Sequence, residues 1–151
     1  MRKPDLIIGP RNNPQTTRWH LLTWRGWQLS LHRWHRSDDD RALHDHKADN
    51  VSILLTGRFR EVLFHPLCDY EHGDRVYTLA VRWPFFPCFR KAETPHRVEL
   101  IDGPVWTLWL RWPARRRWGY WCSFGWRDAD EYNNSRDYYA DGVSEVGRGC
   151  G

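Results

Sequence analysis

The sequence holds no run approaching the roughly 18 uncharged apolar residues that a membrane-spanning helix requires. Its first fifteen residues, MRKPDLIIGPRNNPQ, carry a three-residue apolar run before Gly9 and Pro10. A secretory leader needs about 7–15 such residues, so the expectation is a cytoplasmic protein without a membrane segment. Cysteine is sparse: Cys68, Cys88, Cys122 and Cys150 are widely spaced and form no CxxC pair. That spacing excludes a zinc knuckle or a thioredoxin-like motif, and the four are expected to be reduced thiols. No GxSxG, GxGxxG or P-loop occurs, so neither an elbow serine nor a nucleotide cofactor is indicated. No window of a dozen residues carries a helical apolar stripe.

What the chain does have is tryptophan and arginine. There are 11 Trp in 151 residues, with 23 basic residues of which only Lys3, Lys47 and Lys91 are lysine. An Arg and Trp surplus suits stacking and phosphate contacts with nucleic acid. However, the net charge is only +4 and no basic block exceeds Arg115-Arg116-Arg117. Nucleic acid is therefore the disfavoured partner, and Trp is read as filler of strand faces.

Short apolar runs are cut by Gly, Pro and charge clusters from Arg18 onward. Trp27, Leu29 and Leu31 alternate with polar residues, the period-two pattern of a strand. Val51–Leu55, Arg58–Phe64, Val76–Trp83, Arg97–Ile101 and Val105–Trp112 follow, with turns at Gly57 and at Asp102-Gly103-Pro104. Seven to nine strands at roughly 8–12-residue spacing predict an all-β sandwich or barrel. Residues 1–16, with three prolines, read as an extended arm; 17–127 as the β domain; 128–151 as a flexible polar tail. On the Val105–Trp112 strand both faces are largely apolar, which suggests cover from the arm or from a homodimer partner.

The segment that carries chemistry is His44-Asp45-His46-Lys47-Ala48-Asp49-Asn50. On a strand, residues two apart share a face, so His44 and His46 present adjacent imidazoles to one ion. The pair alone also fits two surface histidines. A third histidine, His96, opens the later strand Arg97–Ile101. Asp49 or Asn50 is placed to reach back as a fourth, oxygen ligand. Arg58 and Arg60 share a face with Val62 and Phe64 and would grip a substrate carboxylate or phosphate if that face points inward; Arg111 is a similar candidate. Strand alternation sets Glu99 on the face opposite His96. His32 and His35 are read as surface residues, and His20, His65 and His72 as non-ligands.

With His44, His46 and Gly57 in register, and Glu93-Thr94-Pro95-His96 later, the sequence resembles the cupin superfamily over about residues 26–122. The HDH, HRVEL and DGPVWTL stretches are most similar to small bacterial and phage cupins. Asn50 stands where that family places a glutamate, Asp49 lies one residue early, and Leu100 replaces an asparagine. The resemblance implies a double-stranded β-helix, a jelly-roll barrel of two antiparallel sheets, with His44, His46 and His96 holding one divalent metal ion. Three imidazoles suit Fe, Mn, Ni, Co or Zn and leave positions open for a small-molecule ligand. Two functions follow as expectations. One is a metal-dependent enzyme, dioxygenase-like or an isomerase or lyase, acting on a small polar molecule. The other is a non-catalytic binding module whose metal is structural or absent.

Overall fold

The structure, a computed structural model, describes residues 2–9, 12–38, 42–64, 77–122 and 125–133. The expectations for His65, His72, Cys68, Cys150 and residues 134–151 lie outside the described residues. The described chain is nearly all strand: β1 (Leu6–Ile8), β2 (Thr16–Trp24), β3 (Trp27–Trp34), β4 (Leu43–His44), β5 (Asn50–Thr56), β6 (Phe59–Phe64), β7 (Tyr77–Arg82), β8 (Pro87–Arg90), β9 (His96–Leu100), β10 (Val105–Arg111), β11 (Gly119–Cys122) and β12 (Gly125–Asp128). A single short helix, α1 (Ala129–Asn133), follows β12.

These strands form two six-stranded antiparallel sheets, ordered β1-β2-β3-β10-β5-β8 and β12-β11-β4-β9-β6-β7. The all-β fold expected from the strand spacing, and the two-sheet jelly roll that the cupin resemblance implied, are what the chain adopts. Turn chemistry explains the local reversals. Arg25 and Gly26 both have positive φ, 45° and 84°, closing the β2–β3 hairpin in the left-handed region that matches strand twist. Gly57 reverses β5 into β6 at φ +70°, where an added Cβ would lie 2.6 Å from Val105 Cγ1. Only glycine meets both demands.

The strands number more than expected. β8 was not anticipated because Pro87 reads as a breaker. Its position at the outer edge of its sheet removes the need for a ladder partner on one side, so proline is tolerated there. Leu54, Phe59, Val98 and Val105 make one buried apolar cluster between the sheets. Ala42, Tyr120, Cys122, Ala129 and Tyr132 make a second. In that second cluster, Tyr132 of α1 stacks on Tyr120, fastening the start of the polar C-terminal segment to β11.

The two faces of β10 differ in what covers them. On the outer face Trp106 stacks on Trp19, whose indole N–H donates to the Arg2 carbonyl in the N-terminal segment. The inner face, with Thr107 and Trp109, borders a cavity. The cover on the outer face is therefore Trp19 of β2, itself tied to the arm.

One cysteine expectation is corrected. Cys88 is a free thiol, but Cys122 is disulfide-bonded. Spacing in sequence gave no sign of it, because the pairing is made by the fold. In alkylation of the denatured protein mapped by peptide mass, Cys88 is expected to be labelled without reductant and Cys122 only after reduction. Labelling of Cys122 without reductant would remove the disulfide. No helix among the described residues is long and apolar enough to cross a membrane.

Candidate metal centre

Three strands of the second sheet bring the histidines together. β4 lies between β11 and β9, so His44 is paired across the sheet with Tyr120 on one side and His96 on the other. His46 follows two residues after His44, its backbone N–H bonded to the Ala92 carbonyl at 2.9 Å. The side-chain donor atoms of His44, His46 and His96 all lie within 4.8 Å of one another. Ring centroids are 5.4 Å apart for His44–His46, 4.8 Å for His44–His96 and 4.9 Å for His46–His96.

The residue between the two histidines fixes their direction. Asp45 is fully buried and points away from the cavity. Its carboxylate accepts the Gly119 N–H at 2.8 Å and the Trp126 indole N–H at 2.9 Å, and pairs with Arg116 at 2.8 Å. With Asp45 anchored on one side, strand alternation turns His44 and His46 to the other.

The donor chemistry fits a metal ion. Burial is the main reason that His46 and His96 are held well below the usual imidazole range, and the neighbouring His44 adds to it in both. Both therefore stay neutral, the form that coordinates. The Thr94 carbonyl lies 3.2 Å from His96 Nδ1, which puts the proton on Nδ1 and leaves the Nε2 lone pair free. That Nε2 is 3.3 Å from His46 Nε2. Two nitrogens each about 2.1 Å from one ion would be separated by about 3.0–3.4 Å. Asp38 Oδ2 lies 4.0 Å from His44 Nδ1. Asp38 also accepts the Val98 N–H and a Gln15 amide N–H, and burial raises its carboxyl above the usual range.

The other sequence candidates go to different places. Asp49 is not brought to the triad: its Oδ1 accepts the Ala92 N–H at 2.7 Å and Arg115 at 2.8 Å, and the first of these is the main cause of its lowered basicity. Asn50 is fully buried on the cavity wall, but its Oδ1 accepts the Trp109 indole N–H at 3.1 Å. Arg58 forks onto Asp102 and Arg60 onto Glu99, both at the exposed surface and outside the cavity. Glu99 sits on the face opposite His96, as alternation requires. Arg111 lines the cavity.

His32 requires a correction. Expected on the surface, it is 3% exposed and borders the cavity. Its three-residue spacing from His35 suggested nothing, because the two lie on opposite sides of the chain: His35 bonds Thr17 Oγ1 at 3.0 Å. His20 bonds Ser30 and Gln28 and is no part of the triad. The strand alternation that made Leu29 and Leu31 look like the buried face did carry the signal. It sets Gln28, Ser30, His32 and Trp34 on the opposite, inward face.

The cavity has a volume of about 350 Å³ and is bordered by the triad on one sheet and by Arg18, His32, Thr107, Trp109 and Arg111 on the other. Arg90 also reaches it, tied to Glu61 and to Ser52 Oγ at 2.9 Å.

No protein-family model matches the chain, and no curated protein matches it. Solved structures do. A cupin superfamily protein of Desulfitobacterium hafniense DCB-2 is 14% identical, over 66% of this chain and 78% of its own, with a TM-score of 0.47. Fe(II)-HppE, solved with the alternative substrate (S)-1-HPP, is 13% identical over 74% of this chain, with a TM-score of 0.54; the match spans 59% of HppE's length. A proposed mannose-6-phosphate isomerase of Ralstonia eutropha JMP134 is 18% identical over 73% of this chain and 93% of its own, with a TM-score of 0.52.

Proposed function

The chain has the cupin fold, and on that premise we propose that it is a metal-dependent enzyme acting on a small polar molecule, with His44, His46 and His96 as the metal ligands. The observation that carries this reading is the convergence of three buried or half-buried imidazoles, two of them held neutral, on the wall of a cavity of small-molecule size. A divalent metal bound there would supply Lewis acidity or, as Fe(II), a site for oxygen chemistry. The remaining work falls to the protein's own residues. Asp45 and the Thr94 carbonyl orient the imidazoles. Trp118 and Tyr120 wall the triad on its own sheet, and Trp109 faces it across the cavity, limiting the water that reaches it.

A fold shared with enzymes does not assign a reaction. The non-catalytic alternative draws on one observation: among the described residues no carboxylate joins the triad, Asp49 being engaged by Ala92 and Arg115. The two readings part in a turnover assay. Protein reconstituted separately with Fe(II), Mn(II), Co(II), Ni(II) and Zn(II) is screened against small hydroxy, keto and sugar acids, with and without dioxygen. Enzyme function predicts turnover with at least one metal and its loss, by more than 100-fold, in His96→Ala. Equal rates in wild type and His96→Ala would overturn it, and metal binding without turnover would favour the binding module. A cytoplasmic location belongs to the same proposal, and the Cys122 disulfide weighs against it.

A further inference from the structure

We infer that the cavity wall opposite the triad is an oxyanion-binding site, in which Arg111, Arg18 and His32 hold the carboxylate, phosphate or phosphonate of a small-molecule ligand. This deepens the enzyme reading by naming the substrate class.

The inner face of the first sheet supplies the groups. Arg18 of β2 lies directly opposite His32 of β3, and His32 opposite Thr107 of β10. Two positions further along β10, past Trp109, Arg111 lies beside Asn50 and Gln28. This ladder is polar where a jelly roll's inner face is ordinarily apolar. Burying such groups without partners is unfavourable. Yet His32 Nε2 and Arg111 Nε are both buried with no hydrogen-bond partner among the described residues, and both residues border the cavity.

Charge points the same way. Among the described residues, the charged side chains bordering the cavity are Arg18, Lys47, Arg90 and Arg111 against Asp38 alone. Arg90 is matched by Glu61, whereas Arg111 forms no ion pair among the described residues. Trp109 organises the cluster. Its indole N–H is fixed on Asn50, the Arg18 guanidinium sits 5.3 Å from its ring, and the His32 ring lies 5.2 Å from it on centroids. The cationic field is felt locally: after burial, Arg18 is the largest contributor to holding His32 low.

A guanidinium can only donate hydrogen bonds, and its fork fits carboxylate and phosphate oxygens in pairs. A neutral polyol needs donors and acceptors in alternation; this wall offers chiefly donors. A cation is disfavoured by Arg18, Lys47 and Arg111. Because the same cavity touches the triad, an anion seated at Arg111 leaves the rest of a small molecule facing the three imidazoles.

The test uses metal-free protein, so that it does not depend on the metal centre. After chelation and removal of the chelator, inorganic phosphate and malonate are titrated calorimetrically, with choline and glycerol as controls. Wild type is expected to bind at least one of the anions at about one per chain and neither control. Tighter phosphate binding assigns a phosphate or phosphonate; tighter malonate binding assigns a carboxylate. Arg111→Gln and His32→Phe are each expected to weaken the anion at least tenfold, while Arg117→Gln, outside the cavity where an exposed guanidinium pairs with the buried Asp128, binds as wild type does. Should Arg111→Gln fail to fold, Arg111→Lys, which keeps the charge and loses the fork, is expected to weaken binding several-fold. The inference is overturned if neither anion binds metal-free wild type, or if folded Arg111 variants bind unchanged. Either failure leaves the metal content of the protein, and so the metal-site reading, untouched.

Discussion

Glu61→Ala is expected to destabilise the protein by about 3–5 kcal/mol, the cost of leaving a buried charge without its partner. Glu61 is fully buried on β6 of the second sheet. Its carboxylate pairs with Arg90 on β8 of the first sheet and with Arg82 on the neighbouring β7. Cys88 Sγ lies 3.7 Å from the same carboxylate. Arg90 is only 7% exposed, so little water can replace the lost partner. Domains of this size have about 5–15 kcal/mol in total, and the loss is a large part of it. Urea denaturation measures it. A double change, Glu61→Leu with Arg90→Met, removes both charges and is expected to recover much of the stability. A Glu61→Ala loss under about 1 kcal/mol would show that Arg90 finds solvation elsewhere.

Asp45→Asn, though isosteric, is expected to cost about 3 kcal/mol and to weaken metal binding at least tenfold. The Asp45 carboxylate accepts from Gly119 N–H, from the Trp126 indole and from the Arg116 guanidinium, all donors. An asparagine offers one accepting oxygen, and its NH₂ would face a donor on the other side. The penalty propagates because Asp45 lies between His44 and His46, and its release frees both rings to leave the cavity. Parallel measurement of the urea midpoint and of metal affinity checks this. Full metal affinity in a destabilised Asp45→Asn would mean that the imidazoles hold their direction without the carboxylate.

The difference between Asp45 and its neighbours shows what the sequence made legible. Period-two alternation needs only residue type and spacing; it placed β3 and set Glu99 opposite His96, while short apolar runs between turn residues placed β5, β6, β7, β9 and β10. The histidine pair was visible for the same reason. Asp45 carried no such signal, because its partners Gly119, Arg116 and Trp126 lie more than 70 residues away along the chain and meet it only through sheet order. His32 was misjudged because its neighbours Leu29 and Leu31 look like a core face. The inward side of β3 is the polar one, since it lines a cavity rather than a packed core. The fourth-ligand candidates failed to converge for a local reason: Asp49 is turned outward by Ala92 and Arg115 as the chain enters β5. The outward placement of Arg58 and Arg60 depended on knowing that Phe59 and Glu61, not their neighbours, face the opposite sheet.

On this reading His44, His46 and His96 hold one metal ion. Elemental analysis and X-ray absorption on untagged protein, purified without chelator, test it against the triple variant His44→Ala/His46→Ala/His96→Ala. About one divalent ion per wild-type chain is expected, with nitrogen scatterers at about 2.0–2.2 Å, and none in the variant. Wild type that stays metal-free after reconstitution with all five metals, or a variant that binds as much as wild type, would contradict it.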